Sequence, residues 1–208
     1  MNHNKLYNNH YTDIGFDRTN LFEFIKKVFH SEKVLYPGSS IHISPSFVFK
    51  QVIYVDKSKG AADFFADNQE VRKIIENNRR GTGSRYYEFL SHDYMNECLP
   101  LKDYSFDLLI SLYADNIIDY CISFVRDKGI IISNNFHDEA VKAVKYNELT
   151  LIGYINRTKN RYAFYKDELT RKLKHRDEEK IQKLCRKNKN GSMWYEDNET
   201  YYVFRLTR

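Results

Sequence analysis

The residues best suited to ligand chemistry stand where apolar, strand-like runs of the sequence end. The turn Tyr36-Pro37-Gly38-Ser39-Ser40 follows the first run, and its glycine permits a close backbone approach to a ligand. Backbone N–H groups in such a turn can meet a carboxylate or a phosphate. Asp56 closes the next run about 20 residues later, where an acid accepts hydrogen bonds from both ribose hydroxyls.

Two further strand ends carry polar or aromatic groups. Asp93 follows the third run with Tyr94 beside it, a pair suited to an exocyclic amine and to the face of a purine. Ser111, Leu112 and Tyr113 end the fourth run and would face the reacting end of a ligand. Because open α/β sheets bind ligands beyond the carboxyl ends of their strands, all these groups are expected on one rim.

Strand-like and helix-like segments alternate along the chain, with connections too long for hairpins, which predicts βαβ units. Strands are predicted at residues 33–36, 52–55, 86–90, 106–113, 129–133, 149–155 and 201–206, with a short extra run at 162–165, and helices near 20–29, 67–80, 115–127 and 138–146. The predicted fold class is α/β: a doubly wound, mostly parallel seven-stranded sheet with helices on both faces and an antiparallel C-terminal edge strand.

The ordered motifs resemble those of class I S-adenosylmethionine (SAM)-dependent methyltransferases. They are Val34 to Ser39, Val52 to Asp56, Asp93, Phe106 to Ser111 and Lys128 to Ser133. The resemblance covers roughly residues 33–155, and the terminal strand fits the family's reversed last strand. It implies SAM as cofactor, with Tyr36 to Ser40 holding the methionine portion, Asp56 the ribose and Asp93 lying near the adenine. Ser111 to Tyr113 match the fourth motif.

Length and charge place these motifs in one domain. At 208 residues the chain suits a single core, so we expect a flexible N-terminus at 1–18 and a Rossmann-like methyltransferase domain at 19–208 with a basic insertion at 157–199. Residues 157–189 hold 13 Lys and Arg against 5 Asp and Glu, whereas the whole chain carries +5. With Tyr162, Phe164 and Tyr165 between these charges, the segment is compatible with nucleic-acid binding, although a solvated face is the commoner use of such charge.

Other classes of protein are disfavoured by composition. No run of 18 apolar residues exists, and the first thirty residues carry Asn, His, Asp and Lys where a secretory signal would need an apolar stretch, so we expect a cytoplasmic protein without a membrane partner. The three cysteines are widely spaced and lack a nearby His pair, which predicts reduced thiols and no metal site. The expected partner is a small-molecule substrate, with nucleic acid as the alternative through the basic segment 157–189.

The catalytic residues are less clearly marked than the cofactor site. Tyr113 would line the site, and His137 follows the fifth strand on the same rim, where an imidazole can act as a base. His42 would either approach a substrate or pack beside Pro45.

Two alternatives to a methyltransferase remain. In the first motif a single glycine, Gly38, stands where the resembled family has an acid and Gly-x-Gly, which favours a non-catalytic nucleotide-binding or interaction protein with the same fold. A nicotinamide-dependent oxidoreductase would need glycines where Ser40 and Ile43 stand.

Overall fold

The main sheet of the protein carries the predicted strands in a doubly wound order. The computed structural model describes residues 3–158, 161–173, 185–187, 193–195 and 199–208. The eight strands of the main sheet are β1 (Lys33–Pro37), β2 (Gln51–Val55), β3 (Tyr86–Leu90), β4 (Phe106–Ser111), β5 (Val125–Ser133), β6 (Leu149–Thr158), β7 (Arg161–Tyr165) and β10 (Tyr201–Leu206). They lie in the order β3-β2-β1-β4-β5-β10-β6-β7. The α/β, mostly parallel fold is confirmed.

Two details of the predicted sheet were wrong. The sheet has eight strands rather than seven, because β7 forms a hairpin with β6 and extends the sheet. The last strand, β10, is antiparallel as predicted, but it does not lie at the edge. It is inserted between β5 and β6 and pairs with both, while β7 takes the edge position.

Helices cover both faces of the sheet. The helices are α1 (His3–Tyr7), α2 (Thr19–Phe29), α3 (Pro45–Val48), α4 (Lys59–Ala66), α5 (Asn68–Asn78), α6 (Ile117–Cys121), α7 (Glu139–Ala143) and α8 (Leu169–Lys172). On one face α2 and α5 bury Leu21, Phe22, Val71 and Ile74 against Val34, Val52 and Leu108. On the other, α6 and α7 bury Ile117, Ile118 and Ala140 against Leu35, Leu109 and Ile131. The parallel strands are buried on both sides, which explains their continuous apolar runs.

One predicted helix is much shorter than expected. The prediction over 115–127 is replaced by α6, a 3-10 turn at Ile122–Phe124 and the start of β5 at Val125. The first part of β5 contains the exposed residues Arg126, Asp127 and Lys128. It therefore lacks the continuous apolar run that marks a buried strand.

The segment 3–18, expected to be a loose terminus, has regular structure and packs on the domain. Helix α1 continues into a π-helical turn at Asn8–Thr12. Tyr7 is fully buried, and its ring meets that of Phe47 edge-on with the centroids 5.8 Å apart. We call residues 3–18 the N-terminal cover. Its rings Tyr11 and Phe16 pack against His42 and Tyr113, so it lies above the carboxyl ends of the central strands.

The basic insertion is described only in part. Within 157–199 the structure describes the end of β6, β7, α8 and a two-stranded antiparallel sheet formed by β8 (Cys185–Lys187) and β9 (Met193–Tyr195). Of the predicted nucleic-acid segment 157–189, residues 159–160, 174–184 and 188–189 lie outside the described residues. Among the described helices, none has the length and apolar character needed to cross a membrane.

Candidate functional site

The glycine turn after β1 makes the close approach expected of it, but to another part of the chain. Gly38 adopts φ +64°, and its N–H donates to the carbonyl oxygen of Val55 at 2.7 Å. A Cβ on Gly38 would lie 2.3 Å from the Cβ of Ala114, just beyond β4. Only glycine therefore permits this contact between the first turn and the end of β4.

Asp56 joins the turn after β1 to the end of β2. Its Oδ2 accepts a hydrogen bond from the backbone N–H of Ser40 at 2.7 Å, and its Oδ1 accepts one from the N–H of Ser58 at 2.8 Å. Ser40 is exposed and Asp56 is partly exposed. Because a carboxylate has about four lone-pair sites, Asp56 retains acceptor capacity toward a ligand.

The end of β3 supplies a second acid on the same rim. Asp93 is held by the Lys57 ammonium at 2.9 Å, the Asn96 amide at 2.9 Å and the Met95 N–H at 3.1 Å. The Asn96 hydrogen bond, followed by that of Lys57, lowers the pKa of Asp93. Tyr94 donates to the carbonyl oxygen of Asp115 at 2.6 Å, which links the ends of β3 and β4.

The predicted cofactor residues therefore fall into two groups. Gly38, Ser40, Asp56, Asp93 and Tyr94 are partly or fully exposed along the ends of β1, β2 and β3, and we call them the outer rim. The other four, Tyr36, Ser39, Ser111 and Leu112, are 1–3% exposed. The structure brings the first group together at a surface and buries the second group beneath it.

His42 lies in the buried layer and has a structural environment. Its Nδ1 is 3.0 Å from the Tyr36 hydroxyl, and its Nε2 is 2.9 Å from the carbonyl oxygen of Asp17 and 2.8 Å from Ser44 Oγ. A carbonyl oxygen only accepts, so Nε2 carries the ring hydrogen and Nδ1 accepts from Tyr36. Burial, and then the positive charge of Arg18, lowers the pKa of His42 to about 3. The imidazole is therefore neutral and enclosed by its partners Tyr36, Asp17 and Ser44.

The N-terminal cover contributes aromatic rings to this layer. Tyr11 stacks on the His42 imidazole with the centroids 4.7 Å apart. Burial raises the pKa of Tyr11 to about 12, against the opposing effect of a hydrogen bond with the Ser40 side chain. Phe16 lies 5.6 Å from the ring of Tyr113. The cover thus lies over the turn after β1 and the end of β4.

Tyr113, a predicted catalytic candidate, belongs to a buried network centred on Arg18. The Arg18 guanidinium donates to the Tyr113 hydroxyl, to the Tyr201 hydroxyl at 2.7 Å and to Glu199 Oε2 at 3.0 Å. The side chains of Arg18 and Glu199 are 1% and 3% exposed. The amide of Asn134 approaches both Glu199 oxygens at 3.4 Å. Tyr113 is therefore positioned by a charged group that no local sequence pattern indicated.

His137, the second catalytic candidate, lies on the rim but faces solvent. It is exposed, has φ +51° and lies 4.1 Å from the ring of Phe136 between centroids. Phe136 in turn lies 5.7 Å from the ring of Tyr113. The two catalytic candidates are thus separated by one aromatic side chain.

Sequence reasoning missed three charged residues at this end of the sheet: Arg18, Glu199 and Glu139. Glu139 is 2% exposed and accepts a hydrogen bond from the N–H of Ile118 at 3.1 Å, with Ser111 Oγ at 3.5 Å. Burial raises the pKa of Glu139. No spacing marks Arg18 or Glu199, whereas Glu139 follows the polar pair Asn134-Asn135 just after β5, a pattern that indicates the same rim of the sheet.

Comparison with known proteins identifies the fold. No protein-family model matches the sequence, and the curated proteins include no match to it. Among solved structures, the O-methyltransferase from Bacillus cereus in complex with SAH is similar to this chain, with a TM-score of 0.52 and 11% identity. The match covers 98% of this chain and 87% of the Bacillus cereus chain. The O-methyltransferase TomG from Streptomyces achromogenes, in complex with SAM, is similar at TM-score 0.50 and 7% identity, with coverages of 99% and 89%.

A third similar structure is not named as a methyltransferase. The [4+2]-cyclase SpnF is similar at TM-score 0.53 and 12% identity, covering 92% of this chain and 81% of its own. At such identities the likeness concerns the fold, and the cyclase indicates that one fold carries more than one reaction. The chain has the Rossmann-like fold of the class I SAM-dependent methyltransferases, as its motifs predicted.

Proposed function

We propose that the protein is a SAM-dependent methyltransferase that acts on a small molecule and binds the adenosine part of SAM on the outer rim. The observation that carries the proposal is the bond between Asp56 and the N–H of Ser40. It places an acid with spare acceptor capacity beside the glycine turn, at the end of β1, the strand that pairs with both β2 and β4. Such a switch point is where doubly wound sheets bind their ligands.

Each outer-rim residue has a role in this proposal. Asp56 accepts hydrogen bonds from the two ribose hydroxyls with its remaining lone pairs. The ring of Tyr94, fixed by its bond to Asp115 O, lies against the adenine, and Asp93 accepts from the exocyclic amine. When bound, SAM supplies an electrophilic methyl group. The protein contributes position and exclusion of water, so a dedicated base is not required.

The methionine portion meets a different environment. Of the residues expected to hold it, Tyr36 to Ser40, Tyr36 and Ser39 are buried, and Tyr11 of the N-terminal cover stacks on His42, the hydrogen-bond partner of Tyr36. Ala114 also fills the space left by the missing side chain of Gly38. The outer rim offers exposed acceptors to adenosine, whereas Tyr11 would have to move aside for the methionine portion to reach Tyr36 and Ser39.

The acceptor would approach from the side of Tyr113 and His137. His137 is the exposed titratable group there, and it is suited to take a proton from an acceptor hydroxyl or amine. Tyr113 is held by Arg18 and would orient the acceptor rather than exchange a proton with it.

A non-catalytic adenosine-binding protein is the second candidate, and the covered methionine half favours it. The two functions differ in what the ligand must contain. A methyltransferase gains affinity from the methionine portion, whereas a protein that uses only the outer rim binds adenosine as tightly as SAH.

Titration calorimetry with SAM, SAH and adenosine tests both functions. We expect SAH to bind at least tenfold more tightly than adenosine, and Asp56→Ala to weaken both ligands by about tenfold, as for the loss of charge-assisted hydrogen bonds. Asp63→Ala is the matched control, since Asp63 is an exposed acid on α4 paired with Lys59 at 2.6 Å. Equal affinities for SAH and adenosine would support the second candidate. Absence of SAM and SAH binding, or binding unchanged by Asp56→Ala, would refute the proposed methyltransferase.

A further inference from the structure

A second concave site lies at the opposite end of the sheet from the outer rim. It is a cavity of about 410 Å³ lined by Glu23, Lys26, Lys27, Val48, Arg80, Gly81, Thr82 and Arg85. We call it the basic pocket. It is formed by α2 and by the segment between α5 and β3, which enters β3 at its amino end. The volume is within the range of small-ligand sites, about 300–1,000 Å³.

The loop that forms one wall has an unusual sequence, Arg79-Arg80-Gly81-Thr82-Gly83-Ser84-Arg85. Gly81 and Gly83 have φ +75° and +94°, conformations in which glycine is favoured. The Arg85 guanidinium folds back and donates to the carbonyl oxygens of Arg80, Thr82 and Gly83, the last two at 3.4 Å. The loop is thus wrapped around a cation.

One nitrogen of the Arg85 side chain takes no part in these hydrogen bonds. Arg85 Nε is buried and has no hydrogen-bond partner within the described part of the chain. Burial, and then the nearby charge of Arg79, lowers the pKa of Arg85. An anion in the basic pocket would offset this repulsion between like charges.

The remaining charges of the basic pocket are only partly balanced. Lys26 is paired, since its ammonium bonds to Glu32 Oε2 at 3.0 Å and to the carbonyl oxygen of Val48 at 3.1 Å. Arg80 Nε is 4.0 Å from Glu23 Oε1, a loose contact between exposed side chains. Lys27 has no acidic partner among the described residues. Four cations and one acid line the cavity, so its net charge is about +3.

We propose that the basic pocket binds the terminal phosphate group of a phosphorylated ligand. A terminal phosphate carries close to two negative charges and several acceptor oxygens, which matches several convergent cations better than a singly charged carboxylate does. Guanidinium groups bind such oxygens in a fixed fork, and the exposed N–H groups of a glycine loop add donors. The concavity is open to solvent, so the phosphate at a chain end or on a small molecule can enter it.

Binding of inorganic pyrophosphate to the full chain tests the proposal by calorimetry at physiological ionic strength. We expect saturable binding that Arg80→Gln and Lys27→Gln each weaken about tenfold, since each removes one charge-assisted contact. The backbone N–H of Arg80 bonds to Phe47 O at 2.7 Å, so Arg80→Gln should leave the loop anchored. Lys59→Gln removes the same charge from an exposed helix position elsewhere and should leave binding unchanged.

A second pair of ligands identifies the source of the phosphate. A short single-stranded oligonucleotide is compared with and without a 5′-phosphate, and only the phosphorylated form should compete with pyrophosphate. Equal competition by both forms would overturn the proposal in favour of backbone binding. Failure of pyrophosphate to bind, or equal weakening by Lys59→Gln, would overturn it altogether. Asp56→Ala should leave pyrophosphate binding unchanged, so this test is separate from that of the methyltransferase.

Discussion

Arg18 and Glu199 form a buried ion pair across the fold, with Arg18 Nη2 3.0 Å from Glu199 Oε2 although the two residues are 181 positions apart in the sequence. The pair ties the N-terminal cover to the segment just before β10. Through Arg18 it also holds the hydroxyl of Tyr113 at the end of β4. The position of a predicted catalytic residue therefore depends on two charges that lie far from it in the sequence.

Removing one partner of this pair should be costly. Glu199→Gln leaves the Arg18 guanidinium buried without a counter-charge, so we expect the free energy of unfolding to fall by about 3–5 kcal/mol in urea denaturation. The double variant Arg18→Met, Glu199→Leu replaces both charges with apolar groups and should be less destabilised than Glu199→Gln alone. The single variants Arg18→Met and Glu199→Leu complete the cycle, and a double variant that loses the sum of their two losses would show that the two side chains do not interact.

The contact between Gly38 and Ala114 should make the first turn intolerant of any side chain. Gly38→Ala adds a methyl group 2.3 Å from the Ala114 Cβ and places a non-glycine residue at φ +64°, so we expect two losses of about 1–3 kcal/mol each. Ala114→Gly in the same protein should recover only the loss caused by crowding. Urea denaturation of Gly38→Ala, Ala114→Gly and the double variant measures the loss from crowding and the loss from the backbone conformation. No recovery in the double variant would contradict the contact.

The neutral His42 predicts an acid sensitivity. Its pKa is about 3 in the folded protein and 6.5 in an ordinary environment. Between these values the unfolded chain binds a proton that the folded chain does not, so stability is retained above pH 6.5 and falls by up to about 1.4 kcal/mol per pH unit below it. His42→Gln should be less stable at pH 7 yet lose stability less steeply between pH 6.5 and 4.5. Parallel slopes in the two proteins would argue against a buried neutral imidazole.

The N-terminal cover should limit binding of the methionine portion. If Tyr11 must leave the turn after β1 before that portion enters, the apparent affinity is reduced by the closed fraction of the protein. Tyr11→Ala should therefore tighten SAH roughly tenfold in calorimetry and leave adenosine nearly unchanged. Tyr11→Phe keeps the ring over His42 and should resemble the parent chain. Looser SAH binding in Tyr11→Ala would instead make the ring part of the binding surface.

Much of the sheet was accessible to prediction because its strands are buried on both faces. Their apolar runs mark β1, β2, β4 and β5 directly, and the carboxyl ends of parallel strands must share a rim. The structure accordingly places Gly38, Asp56 and Asp93 along one edge. The place of β10 was not predictable in the same way, because pairing with β5 and β6 depends on long-range contacts rather than on local pattern.

The buried half of the site was missed for a different reason. The N-terminal cover contacts the core through single aromatic residues, such as Tyr7, set among Asn and His, so no hydrophobic period marks it. Arg18 adopts a left-handed conformation before α2 and pairs with a residue near the far end of the chain. Neither feature leaves a signal in neighbouring residues. The neighbours Ser39 and Ser40 differ in the same way, since Ser39 is buried and Ser40 is exposed. This difference depends on tertiary packing, which the spacing of residues does not predict.

The insertion of β10 between β5 and β6 has a consequence for biosynthesis. During translation β5 and β6 emerge well before residues 201–206, and the slot between them has no partner strand until those residues leave the ribosome. Until then both strands present open edges to other chains, a known route to aggregation. The ion pair between Arg18 and Glu199 likewise forms only after residue 199 has been synthesised. Fixing of the N-terminal cover and completion of the sheet therefore become one late event in folding.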